Sequence, residues 1–101
     1  MRILIEAHLP HKPFNAAMKD GTAGKKMQSI LQAANAEAVY FGEIDGKRTC
    51  TLIVNIKDAT EIPAFAEPWF LNFEADVKFR PVMTPEDLGK AGLEGLAKKW
   101  L

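Results

Sequence analysis

The chain has 101 residues, 48% hydrophobic and 26% charged, which gives room for one domain built on one core. Thirteen basic and thirteen acidic residues cancel, so no overall field draws the chain to nucleic acid or to an anionic membrane surface. Its one cysteine, Cys50, excludes an intramolecular disulfide and a cysteine metal cluster.

The lone thiol fits a reducing compartment. At the N-terminus, MRILIEAHLPHKP breaks its apolar run at Glu6 and His8. A signal peptide needs about 7–15 apolar residues in a row and a membrane span about 20. A cytoplasmic protein is therefore expected, with no membrane partner.

Arg2 to Leu9 alternates as a strand, with Ile3, Ile5 and Ala7 on one side and Glu6 and His8 on the other. Pro10 and Pro13 are expected to end it, and Phe14 to Lys19 to form a turn or two of helix before Gly21. Thr22 is a candidate cap for a helix from about Ala23 to Asn35, whose Met27, Ile30, Leu31 and Ala34 form one apolar stripe. Ala38 to Phe41 reads as a short strand of strong β-formers. Asp45-Gly46 then makes a hairpin turn into a return strand, Arg48 to Ile56.

Asp58-Ala59-Thr60 leads into a second helix, about Glu61 to Asn72, which Pro68 is expected to break or kink. A last strand runs from Asp76 to Val82. Thr84-Pro85-Glu86-Asp87 is a helix start, with a capping hydroxyl, a first-turn proline and two acids at the positive helix end. The closing helix is expected to continue to about Lys99, softened by Gly89, Gly92 and Gly95.

The order strand, helix, strand, strand, helix, strand predicts an α+β, ferredoxin-like βαββαβ domain with a four-stranded antiparallel sheet. Residues 1–83 form the core of this single domain and residues 84–101 an extra C-terminal helix. Helices cover one sheet face, holding Ile3, Ile5, Ala7, Leu52, Val54, Ile56, Val77 and Phe79. The other face collects Leu4, Glu6, His8, Thr49, Thr51, Ile53, Asn55, Lys78 and Arg80, with either Tyr40 or Phe41. A bare face of this mixed kind invites a second sheet, and two such sheets close a barrel with twofold symmetry. The alternative is a monomer with a solvated face.

The segment AEPWFLNFEADVKFRPVMTPEDL carries a tryptophan-bearing helix, a D-V-x-F-x-P-V strand and the T-P-E-D helix start. It resembles an uncharacterised bacterial family of the dimeric α/β-barrel superfamily, and the element order over the first 83 residues or so agrees. The resemblance implies a homodimer built through the sheet face. Its superfamily includes cofactor-free monooxygenases, muconolactone-isomerase-like enzymes, haem-degrading enzymes and non-catalytic ligand binders, so it assigns no single chemistry.

Glu6 and His8, two residues apart on a strand, project onto one face, and a His–Glu pair suits acid/base work near neutral pH. The alternative is a polar interface lining. His8 and His11 lack a third ligand at metal spacing, and no metal or cofactor is expected. Arg80, with Lys78 and Arg48, puts positive charge on the same presumed barrel face, where it could hold a carboxylate or phosphate or pair with Glu6, Glu43 or Asp76. Tyr40, Trp69, Phe70 and Phe73 are candidates for lining a pocket for a flat apolar ligand, or are simply core. Cys50, with no basic neighbour, reads as a buried inert thiol.

Gly21-Thr22-Ala23-Gly24-Lys25-Lys26 lacks the glycine spacing and the hydroxyl after lysine of a phosphate loop. It reads as a helix entry, although free amides at such a start can bind an anion. RNA recognition on this topology needs aromatic residues on the two central strands, and Arg2–Leu9 and Arg48–Ile56 have none. Heavy-metal carriage needs a Cys-x-x-Cys pair, also absent. The expectation is a homodimeric α/β-barrel protein that binds a small ligand, with Glu6, Tyr40, Trp69 and Arg80 at the ligand. Two alternatives stand beside it. One is a cofactor-independent isomerase or monooxygenase acting on a small aromatic or lactone, with His8 as base. The other is a protein-interaction domain using its outer helices.

Overall fold

A computed structural model describes residues 1–101. The first strand, β1 (Arg2–Leu9), buries Ile3, Ile5, Ala7 and Leu9 and leaves Leu4, Glu6 and His8 half-buried between them. Helices α1 (His11–Asp20) and α2 (Ala23–Ala34) lead to β2 (Ala38–Ile44), which turns back into β3 (Lys47–Asn55). A short turn at Ala59–Glu61 opens α3 (Ile62–Phe73), followed by β4 (Asp76–Pro81) and two short helices, α4 (Pro85–Gly89) and α5 (Leu93–Lys99).

The sheet order is β2-β3-β1-β4, and every neighbouring pair is antiparallel. Two strand–helix–strand units are thus interleaved, which is the ferredoxin-like arrangement. The core lies between one sheet face and helices α1 to α3. Ile3, Ile5, Leu52 and Val54 pack there against Ala17, Ile30, Trp69 and Phe73. Phe73 anchors it, with its ring centroid 5.2 Å from Phe14 and 6.5 Å from Trp69.

Local chemistry sets the joints. Asp45 and Gly46 both take positive φ, 54° and 76°, the left-handed pair that matches the twist of a two-residue hairpin. The Glu43 carboxylate accepts the Gly46 N–H at 2.8 Å and ties the turn. Asp58 accepts from the Thr60 N–H while Glu61 accepts from the Asp58 N–H, a reciprocal cap for the turn that opens α3. Thr84 and Asp87 form the same kind of cap at α4.

Four local expectations need correction. Helix α1 spans ten residues and includes Pro13, because first-turn positions have no intrahelical N–H bond for proline to lose. Thr22 does not cap α2; its hydroxyl donates to Asp20 Oδ1 at 2.6 Å. Helix α3 runs unbroken through Pro68. The ring removes one bond, to the Ala64 carbonyl, while buried Ala66, Trp69 and Phe73 hold both sides of the proline on the core. The single closing helix is two, since Gly92 adopts φ 72° and breaks it.

That break leaves an arm. Every residue from Ala91 to Leu101 is exposed, and the one side-chain ion pair that ties the C-terminal segment to the sheet lies before the break, where Arg2 reaches Asp87 of α4 at 3.3 Å. The molecule is 60 Å long, whereas a strand of eight residues spans about 27 Å. Its radius of gyration is 17.0 Å, against about 13 Å for a compact chain of this length.

Because Trp69 and Phe73 join helices to sheet, Trp69→Ala should cost about 3–5 kcal/mol of unfolding free energy. Urea denaturation followed by circular dichroism measures this; a loss below about 1 kcal/mol would mean that the site collapses around the gap.

Candidate functional site: the open face of the sheet

Pairing register lays the uncovered face out in rows. Arg80, Leu4, Ile53 and Ala38 form one row across β4, β1, β3 and β2. Lys78, Glu6, Thr51 and Tyr40 form the next, and Asp76, His8, Thr49 and Gly42 the third. Strand alternation alone assigns these residues to one side. Tyr40 lies on this face and is 66% exposed, whereas Phe41 points to the helix side.

Glu6 is the centre of the polar part. Its Oε1 accepts from His8 Nε2 at 2.6 Å and its Oε2 from Arg80 Nη2 at 2.5 Å. Side-chain exposure is only 12% for Glu6 and 15% for His8, against 60% for Arg80. The hydrogen bond from His8 is the main cause that holds the Glu6 carboxyl below its usual range; partial burial opposes it, and the Arg80, His8 and Lys78 charges assist. An ionised carboxylate only accepts, so the proton of this bond resides on His8 Nε2. The arrangement holds the imidazole by its Nε2 and fixes its orientation on the open face.

The structure therefore brings Glu6, His8 and Arg80 into direct contact and puts Tyr40 on the same face, two strands from β1. Trp69 is separate. It is 1% exposed within the core on the other side of the sheet. None of Glu6, His8 and Arg80 lines a hollow of the single chain; a shallow one on this face is formed by β2 and β3 residues from Tyr40 to Thr51. His11 begins α1 and is exposed, and no cluster of three metal-binding side chains exists. No helix is long and apolar enough to cross a membrane. Cys50 is buried, and burial pushes its thiol up to about 11.

Arg48 departs from expectation. It shares strand parity with Cys50 and Leu52, so it lies on the helix-covered side, with its guanidinium 4.5 Å from the centre of the Phe14 ring. A cation two residues before Cys50 on an apolar stripe was the signal available for this placement.

The topology defines the class: an α+β ferredoxin-like domain with one face of its sheet open. The profile of a family described as "Domain of unknown function (DUF3303)" matches residues 25–96. The chain belongs to that family, and the matched span runs from the first turn of α2 into α5. Among solved structures, the de novo designed protein Ferredog-Diesel is similar, with 10% identity and a TM-score of 0.46 over 80% of this chain and 85% of its own. No curated protein matches.

A carboxyl held low by its folded surroundings contributes stability above its unfolded value of about 4.3, and loses it as pH falls through the folded value. Glu6→Gln should thus be less stable than the parent at neutral pH, and the gap should close on acidification below about pH 4. Urea midpoints across pH test this. A gap that stays constant would show that Glu6 does not act through its charge.

Proposed function

We propose that the chain acts as a homodimeric α/β barrel, two copies pairing through their open sheet faces, with the C-terminal arm of each reaching onto the other. The observation that carries this reading is the arm. Leu88, Leu93, Leu96 and Trp100 are all 43% or more exposed, and they project from the compact part of the chain. Such side chains gain by burial, and in a twofold pair each arm lies against the surface of its partner. Asp87 bonds Arg2, which shares strand parity with Leu4, Glu6 and His8, so the arm starts from the side of the sheet that the second copy would cover.

The open face supports the same occupant. Leu4 and Ile53 sit side by side and half-buried, with Tyr40 one row away. Glu6 already has its partners within the chain, so the most buried charge on the face does not need water. Exposed Lys78 and Arg80 lie beside Asp76 on β4, and an isologous pairing sets such opposite charges against one another. The resemblance of the segment from Ala66 to Leu88 to a dimeric α/β-barrel family points the same way. The single buried thiol suits a cytoplasmic setting, and the role that fits a barrel with a polar interior patch is small-ligand binding.

One observation favours a second reading. The 2.6 Å contact between His8 and Glu6 is the geometry of a carboxylate-oriented base. In this reading the barrel is a cofactor-independent enzyme for a small aromatic or lactone, with His8 as base and Arg80 near the substrate. Turnover of such compounds that survives in His8→Ala would remove it.

The dimer is tested by light scattering after gel filtration. The expected mass is twice the 11.2 kDa of the chain. Ile53→Glu should give a folded monomer, because a carboxylate without a partner would be buried at the centre of the interface. A single-chain mass for the parent protein, or a dimer that ignores Ile53→Glu, contradicts the proposal.

A further inference from the structure

Away from the open face, on the helix side of the β2 edge, α1 and α2 leave a cleft of about 380 Å³. Its walls are mostly apolar, among them Phe14, Met18, Met27 and Phe41, and Arg48 lines it with them. The larger hollows beside Pro13 and beside Leu88 have few apolar side chains. Arg48 Nη1 is shielded from solvent and has no hydrogen-bond partner, the only buried side-chain polar atom of the chain so placed. Its cross-strand neighbour Glu43 does not serve it, because that carboxylate is turned to the Gly46 N–H. The guanidinium instead stacks on Phe14.

A buried guanidinium N–H without an acceptor is costly, and Arg is the side chain whose fork suits a carboxylate. The same cleft is bordered by Ala23 and Gly24, the first residues of the twelve-residue helix α2. Their amides precede the first intrahelical bond, which the Lys26 N–H makes to the Thr22 carbonyl, and a helix start favours negative charge. Because Nη1 is sealed from solvent even with the cleft empty, an acceptor reaches it only as the wall gives, and the two unbranched methionines there can shift.

We propose that this cleft is a binding site for a small carboxylate with an apolar body, its carboxylate paired with Arg48 and its body between Phe14, Met18, Met27 and Phe41. The site is complete within one chain and lies on the opposite side of the sheet from the Glu6 cluster, so it stands or falls independently of the dimer.

The probe is naphthoate, with naphthol as the uncharged analogue of the same body, titrated into the full chain by calorimetry and by amide chemical shifts. Saturable binding of one naphthoate per chain is expected, with shifts at Phe14, Ala23, Gly24 and Phe41. Naphthol, and naphthoate with Arg48→Gln, should each bind at least about tenfold more weakly, the loss of one charge-assisted pair. Met18 lines the cleft and is 59% exposed, so Met18→Glu should leave the fold undisturbed, repel the carboxylate and weaken naphthoate binding at least about tenfold while Arg48 remains. This variant decides the matter if Arg48→Gln fails to fold. No saturable binding, equal affinity for naphthol, unchanged affinity in a folded Arg48→Gln or in Met18→Glu, or shifts confined to the open face would each overturn the proposal.

Discussion

Both helical crossovers pass over the same side of the sheet, and the rest of the molecule follows from that one-sidedness. Strand alternation then sorts each residue of the sheet into one of two environments. Ile3, Ile5, Ala7 and Leu9 go under the helices and are almost completely buried, while Leu4, Glu6 and His8 go to the face that no part of the domain covers. A sheet closed on one side only has a stable core and an unfinished surface. The composition of that surface, apolar at Leu4 and Ile53 and internally paired at Glu6, is the ground for the proposed second sheet over it.

Glu6 shows how a charge is kept in such a place. A lone, half-buried carboxylate on such a face would carry a desolvation cost. Here His8 donates to one oxygen and Arg80 to the other, and the carboxyl is held ionised. Arg48, on the covered side, is the opposite case. It has an aromatic ring to lie on and no acceptor for Nη1. The first group is satisfied within the chain, and the second has one N–H that the chain leaves without an acceptor.

Much of the fold was legible because the deciding interactions are local. Period-two alternation in β1 and β3, the Asp45-Gly46 turn and the Thr84 cap each depend on residues within a few positions of one another. Proline and glycine misled where their effect depends on position within an element. Pro13 costs nothing in a first turn, and Pro68 is tolerated because Trp69 and Phe73 are anchored in the core. Gly92 ends a helix only because it takes positive φ, which composition does not reveal. At the site, parity puts Glu6, His8 and Arg80 on one face, and the structure adds that Glu6 bonds each of the other two. Trp69 carried no such positional signal, since an aromatic on an amphipathic helix reads alike as core or as pocket wall. Charge alone groups Arg48 with the barrel-face cations, whereas its parity with Cys50 places it under the helices.

Pairing through the open face is tested most directly by isotope-filtered nuclear Overhauser spectroscopy on a mixture of labelled and unlabelled chains. If two sheets face each other, cross-chain contacts appear at the Leu4 and Ile53 methyls and the Tyr40 ring, together with Leu93 or Leu96 of the arm. Cross-chain contacts that are absent, or that involve Leu71 and the outer helices while Leu4 and Ile53 show none, would contradict it.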